Sequence, residues 1–158
     1  MAEEIVDKYA NVHEENAKRI VQAGNGRYVF NLVDAEGFDI GPHYTTSRGL
    51  PVRGDKVMVV LATKPRGTGA RLHTHPNEQF NYVIKGRLRY RVNDVEGVAG
   101  PGELIYIPAN TEHYTIATEE EDVVFLAAKD TSFDISGEAV DGTRSGPYYA
   151  PGFGPGGE

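Results

Sequence analysis

From Arg27 onward, apolar and polar positions alternate in short runs. Residues 28–33, 57–63, 71–75, 79–84, 87–92, 104–107, 114–117 and 123–128 are rich in β-branched and aromatic side chains, and Gly, Pro, Asn or Asp separates most of them. Many short runs at close spacing with such turn residues predict an all-β sandwich or barrel. Residues 2–22 follow another rhythm. Ile5, Tyr9, Val12 and the Ile20–Val21 pair recur at roughly helical spacing, acidic Glu3 and Glu4 open the first turn, and Gly24 stands where a C-cap would. This predicts a helix packed on the outside of the β-structure. The final stretch, SGPYYAPGFGPGGE, is too rich in Gly and Pro for regular structure. It is expected to be a loose tail or, given Tyr148, Tyr149 and Phe153, an extended arm laid over a surface. The expected organisation is therefore an N-terminal helical segment (1–26), a barrel (27–134) and a C-terminal arm (135–158).

The runs 79–84 and 87–92 flank Lys85-Gly86, a two-residue turn signal that predicts a hairpin. Such a hairpin puts Gln79, Asn81, Val83, Leu88, Tyr90 and Val92 on one face, taken as the interior. Phe80, Tyr82 and Ile84 then lie outside, opposite Arg87, Arg89 and Arg91, as on a face covered by another element or a second subunit.

Composition narrows the possible functions. The chain has 158 residues, which suits one domain. Lys and Arg number 16 against 23 Asp and Glu, giving a net charge of −7. That balance argues against nucleic acid and against an anionic membrane surface, both of which need clustered cations. There is no cysteine, so disulfides, thiolate nucleophiles and Cys-type zinc sites are excluded. The N-terminal stretch lacks the apolar core of a signal peptide, and a cytoplasmic location is the default expectation. The run Glu119-Glu120-Glu121-Asp122 is expected to be a solvated turn.

The histidines carry the candidate chemistry. His73 and His75 are separated by one residue, so a strand would turn both imidazoles to the same face. Gln79 begins the interior face derived above, whereas Glu78 falls on the opposite one. His113 precedes another run after the turn Pro108-Ala109-Asn110-Thr111. Four N and O donors converging inside a barrel can hold a divalent first-row metal with positions left open. Arg71, two residues before His73, would point to the interior and could bind a substrate carboxylate or phosphate. Asn81, Tyr90 and Tyr106 are further candidates for orienting a substrate, although Tyr90 suits core filling as well. His13 and His43 have no partner pattern.

These residues resemble the two cupin motifs. Gly67-(x5)-His73-Thr74-His75-(x3)-Gln79-(x6)-Gly86 is similar to the first, which has Glu or sometimes Gln at the position of Gln79. Gly102-(x5)-Pro108-Ala109-Asn110-(x2)-His113 is similar to the second. That motif usually has Gly at the position of Asn110, and Asn tolerates a positive φ better than most residues. Ala117 stands where the second motif commonly ends in Asn, a position that does not bind metal. The resemblance implies a single-domain cupin, a double-stranded β-helix or jelly-roll barrel, with one divalent metal on His73, His75, Gln79 and His113. Cupins usually pair sheets, so a homodimer is implied.

Cupins host dioxygenases, isomerases, decarboxylases, lyases and plain binding modules, and the fold does not choose among them. The expectation is a mononuclear dioxygenase holding Fe(II), cleaving a C–C bond in a small diketone, hydroxyketone or phenolic substrate. The alternative is a non-oxidative isomerase or lyase with Mn, Ni or Zn, acting on a sugar acid or hydroxy compound. The three-His-one-Gln set resembles that of cupins doing non-oxidative work. A small-molecule-binding or regulatory barrel without catalysis is a third possibility. The catalytic acid or base is not identified by sequence.

Overall fold

The computed structural model describes residues 7–155. One helix, α1 (Val12–Arg19), precedes fifteen short strands. In chain order these are β1 (Val21–Gln22), β2 (Phe38–Asp39), β3 (Arg48–Gly49), β4 (Pro51–Arg53), β5 (Val57–Lys64), β6 (Thr68–Gly69), β7 (His73–Thr74), β8 (Gln79–Lys85), β9 (Leu88–Val92), β10 (Val95–Ala99), β11 (Leu104–Ile107), β12 (His113–Ala117), β13 (Val123–Asp130), β14 (Glu138–Ala139) and β15 (Tyr148–Tyr149). They form two sheets. The first runs β1-β4-β5-β13-β8-β11, with β3 also on β5 and β2 on β3. The second runs β10-β9-β12-β6-β15, with β7 also on β12 and β14 on β7. All pairs are antiparallel except β1–β4.

The alternation of side chains along a strand builds the interior between the sheets. Met58, Val60 and Ala62 of β5, Val83 of β8, and Phe125 and Ala127 of β13 meet Leu88, Ile105 and Ile107 in one buried cluster. Several predicted runs agree with the strands at 57–64, 79–85, 88–92, 104–107, 113–117 and 123–130.

The hairpin is a correction. Strand β8 pairs with β13 and β11, whereas β9 pairs with β10 and β12, so the two lie in different sheets. Lys85-Gly86 is the corner where the chain crosses between them. Gly86 has a φ of 78°. A Cβ there would fall 2.6 Å from the Asp122 carbonyl oxygen, so the corner is wedged against the start of β13. Side-chain parity is local to a strand, so the expected faces hold although the expected pairing does not. Gln79, Asn81 and Val83 are buried, while Phe80, Tyr82 and Ile84 are exposed. Phe80 lies opposite Tyr106 and Tyr82 opposite Leu104 of β11, rather than opposite the arginines.

Two other expectations differ. Residues 28–33 form no strand, and Tyr28, Val29 and Val33 are exposed, because that segment has no ladder partner. The helix is confined to Val12–Arg19 and buries only Val12 and Asn16. Residues 20–22 instead turn extended and lie parallel to β4, the backbone ladder prevailing over helical propensity. Ala2, Glu3, Glu4 and Ile5 lie outside the described residues. From residue 135 to residue 155 the C-terminal segment is an ordered arm: β14 extends the sheet beside β7, β15 lies on β6, and Ile135 and Ala150 are buried. Among the described residues, no helix is long and apolar enough to cross a membrane.

Histidine 13 fastens α1 to this arm. Its Nδ1 lies 2.6 Å from Asp134 Oδ2 and its Nε2 2.8 Å from Glu138 Oε1. Both partners are carboxylates, so both nitrogens donate and the ring is an imidazolium. Arg144 Nη2 donates to the same Glu138 Oε1 at 2.6 Å, and Arg144 Nη1 reaches the Tyr9 carbonyl at 3.0 Å. The Asp134 hydrogen bond, opposed by burial and aided by Glu138, raises the His13 pKa above its ordinary value. A group with a raised native pKa stabilises the fold at low pH and loses that contribution as pH rises through it. His13→Gln should lower stability at pH 6 by about 1–3 kcal/mol. Thermal unfolding from pH 5.5 to pH 9 should show the gap to wild type closing as pH rises, and a pH-independent gap would contradict the clasp.

Candidate metal centre

Three histidines meet inside the barrel where the two motifs converge. His73 opens β7, His75 follows it directly, and His113 opens β12, directly opposite His73 in the ladder. The turn before His113 is tied back to the first motif, since the Asn110 N–H donates to the His75 carbonyl at 2.9 Å. Asn110 holds a φ of 56°, the left-handed conformation expected at this position. One ligand atom from each of His73, His75 and His113 lies within 4.8 Å of the others.

Hydrogen bonding fixes the tautomer of each ring. His73 Nδ1 lies 2.7 Å from the Arg71 carbonyl, His75 Nδ1 3.0 Å from that of Asn77, and His113 Nδ1 2.8 Å from that of Thr111. A carbonyl oxygen only accepts, so each Nδ1 carries the proton and each Nε2 keeps a lone pair. Burial pushes all three pKa values below the ordinary range, which keeps the rings neutral at pH 7. Neutral imidazole oriented by a backbone carbonyl is the form that ligates metals.

Gln79, the fourth candidate donor, lines the cavity beside His73 and His113. Its Nε2 donates to Asn81 Oδ1 at 2.7 Å, which turns Oε1 away from Asn81. Both Gln79 Oε1 and His75 Nε2 are buried without a hydrogen-bond partner. Unpaired buried acceptors are destabilising in a dry interior, and a cation answers both at once. The donor set therefore fits a divalent ion. Asn81, a sequence candidate for orienting a substrate, lines the same cavity and holds Gln79 through that Nε2 bond.

The other sequence candidates lie elsewhere. The Arg71 guanidinium is occupied by Asp141, Thr143 and the carbonyls of His43 and Gly146, so it clamps the C-terminal arm and does not line the cavity. Tyr90 is half-buried against the hydrophobic core, with its ring beside Gly97. Tyr106 is on the outer face, where its hydroxyl donates to Glu78 Oε1 at 2.6 Å. A second grouping of His13, His43 and Glu138 is also compact. Arg144 and His13 already neutralise its carboxylate, so it is an ion-pair clasp.

Sequence reasoning misses two lysines. Lys64 and Lys129 are buried in the interior and line the same cavity as His73, His113 and Gln79. Lys64 Nζ donates to Thr115 O at 2.6 Å and to Thr115 Oγ1 at 2.7 Å, and Lys129 Nζ donates to the Ile135 carbonyl. Lys129 is the cross-strand neighbour of Gln79. Burial lowers the pKa of each to about 7, with Lys129 adding to the effect on Lys64. The parity is a readable signal: Met58, Val60 and Ala62 lead to Lys64, and Val123, Phe125 and Ala127 lead to Lys129.

A lysine pKa lowered on folding makes the native state least favoured at and below pH 7, where the buried ammonium is charged, and relieves it as pH rises. Lys64→Met should therefore raise the stability of metal-free protein at pH 7 by about 1–2 kcal/mol. The gain should shrink toward pH 10 in thermal unfolding, and a variant less stable than wild type at pH 7 would refute this account of Lys64.

Comparisons with known proteins agree with this architecture. Residues 59–129 match the family model described as a cupin domain, a span that contains all four donors. Comparison with the curated proteins found no match. Among solved structures, the polyketide cyclase RemF from Streptomyces resistomycificus is similar at 21% identity and TM-score 0.58, over 71% of this chain and 84% of that one. KdgF from Halomonas sp. is similar at 21% identity and TM-score 0.56, over 64% of this chain and 90% of that one. An RmlC-like cupin from Shewanella frigidimarina shares 18% identity at TM-score 0.56, over 68% of this chain and 93% of that one. At these identities the likeness is one of fold. Together with the cupin-domain match over residues 59–129, it shows that this chain has the fold of a single-domain cupin barrel.

Proposed function

We propose that this cupin is a mononuclear metal-dependent enzyme that performs non-oxidative chemistry, isomerisation or lysis, on a small oxygenated substrate. The observation that carries the reading is an uncharged donor set in a cavity with no carboxylate. His73, His75, His113 and Gln79 are all neutral donors, and neither Asp nor Glu lines the cavity. A divalent ion held there would supply Lewis acidity to a carbonyl or hydroxyl oxygen. Neutral donors leave that charge undiminished, and the nearby lysines further disfavour a trivalent state. The protein's own part is to hold the donors rigid through the three Nδ1–H bonds and Asn81, and to exclude bulk water.

The second reading is the iron dioxygenase expected from sequence. Three histidine Nε2 atoms converging on one point favour it, because such a trio leaves room for two exogenous ligands. Metal analysis of protein purified without chelator, beside His75→Ala, separates the readings. Near-stoichiometric Mn, Ni or Zn, lost in the variant, is expected, together with solvent-deuterium exchange beside the carbonyl of hydroxyketones or hydroxy acids. Iron with oxygen uptake would move the assignment to the dioxygenase. No metal, and none taken up on addition, would leave a binding barrel.

We also propose a homodimer through the outer face of the first sheet. Phe80, Tyr82, Ile84, Leu104 and Tyr106 are each 40–59% exposed and contiguous on β8 and β11. An exposed apolar face of this kind is what a two-fold pairing of identical subunits would cover. Light scattering should give a dimer for wild type and a monomer for Tyr82→Glu/Leu104→Glu, and a monomeric wild type would refute it.

A further inference from the structure

The cavity beside the metal donors is small, ≈ 40 Å³. That is room for a few water-sized groups. Into it project two side chains that ordinarily stay in water. Lys64 is 2% exposed and Lys129 6% exposed. Neither ammonium therefore reaches bulk solvent by extending its stem. No carboxylate forms an ion pair with either among the described residues. Lys64 uses two of its three donors, both on Thr115, and Lys129 uses one, on Ile135. Donors therefore remain on both ammonium groups. Asp134 and Asp130 act on Lys129 only from a distance, and two buried amines without an ion-pair partner weaken a fold, so a site that keeps them is arranged for a negative charge from outside.

Their placement relates that charge to the metal donors. Lys129 neighbours Gln79 across the β8–β13 ladder. Lys64 is anchored on Thr115, two residues along β12 from His113 and on the same face. One small ligand can therefore meet the metal donors at one end and the lysines at the other.

We infer that the cavity receives its substrate as a small carboxylate, or as the carboxylate end of a larger molecule, with Lys64 and Lys129 binding the negative charge. The word substrate rests on the metal-enzyme reading above, while the anion site itself stands on the lysines alone. Uncharged diols and ketones of the same size are then poor ligands. The cavity volume limits the buried part to the carboxylate and the one or two carbons next to it.

Calorimetric titration in chloride-free buffer at pH 6.5 tests this with three probes: malonate, glycolate and the uncharged glycolate analogue ethylene glycol. Each is titrated into metal-free and zinc-loaded wild type, Lys64→Met, Lys129→Met and Lys64→Arg, with metal content measured on every sample. The expected result is malonate binding to metal-free wild type, weakened tenfold or more in either Met variant and largely restored in Lys64→Arg. Glycolate should follow the same order on zinc-loaded protein, and ethylene glycol should bind none of them measurably. Equal malonate affinity in wild type and both Met variants would overturn the inference, as would ethylene glycol binding as tightly as glycolate. Failure to hold zinc, manganese or nickel would sink the metal-enzyme reading and leave the malonate comparison intact. If Lys64→Met fails to fold, Lys129→Met and Lys64→Arg still decide the question.

Discussion

A proton on Nδ1 of each of His73, His75 and His113 is the constraint on which the centre depends. It is enforced by three backbone carbonyls, each two residues from the ring that it orients. With the proton there, three lone pairs face one another in a space where water is scarce. Neutral lone pairs at that separation repel, and the arrangement persists because the strands carrying the rings are held by their own ladders. His113 lies opposite both His73 and Val92, so its strand is gripped from two sides. The fold imposes the geometry on the histidines, and an ion would relieve a repulsion already built in.

Charge then shapes the rest of the interior. A carboxylate at position 79 would stand beside Lys129 and neutralise it. Glutamine leaves that amine without an ion-pair partner across the ladder, and Lys64 adds a second basic group whose pKa burial also lowers to about 7. The pocket is therefore lined by two basic groups and no carboxylate, inside a chain whose net charge is −7. Most acidic groups are on the outside, where they contribute solubility, while Asp134 and Asp130 still act on Lys129 from beyond the cavity wall.

Much of this is legible in the sequence, and the failures have a common cause. The spacing of His73, His75 and His113 and the parity of Gln79 against Glu78 are properties of a single strand or turn, and local rules suffice to read them. Pairing between strands is not local. Lys85-Gly86 has the composition of a tight hairpin, but whether the following strand folds back or crosses to another sheet depends on Asp122 and Val123, far along the chain. Tyr106 and Arg71 fail for the same reason. Their neighbours Glu78 and Asp141 are distant in sequence, and those partners decide where each side chain goes. Lys64 and Lys129 are obscured differently. Runs that end at Thr63 and Ala128 stop one residue short of them, because a charged side chain suggests solvent.

The two-residue strand that begins with His73 has β12 on one side and Glu138–Ala139 on the other. Ribosomal synthesis delivers the histidines first and Glu138 more than sixty residues after His73. The edge beside His73 therefore stays open while the chain is being made, and closes only when the segment carrying Glu138 has emerged. The strand that carries His73 is thus completed late, by a segment that itself holds none of the four donors.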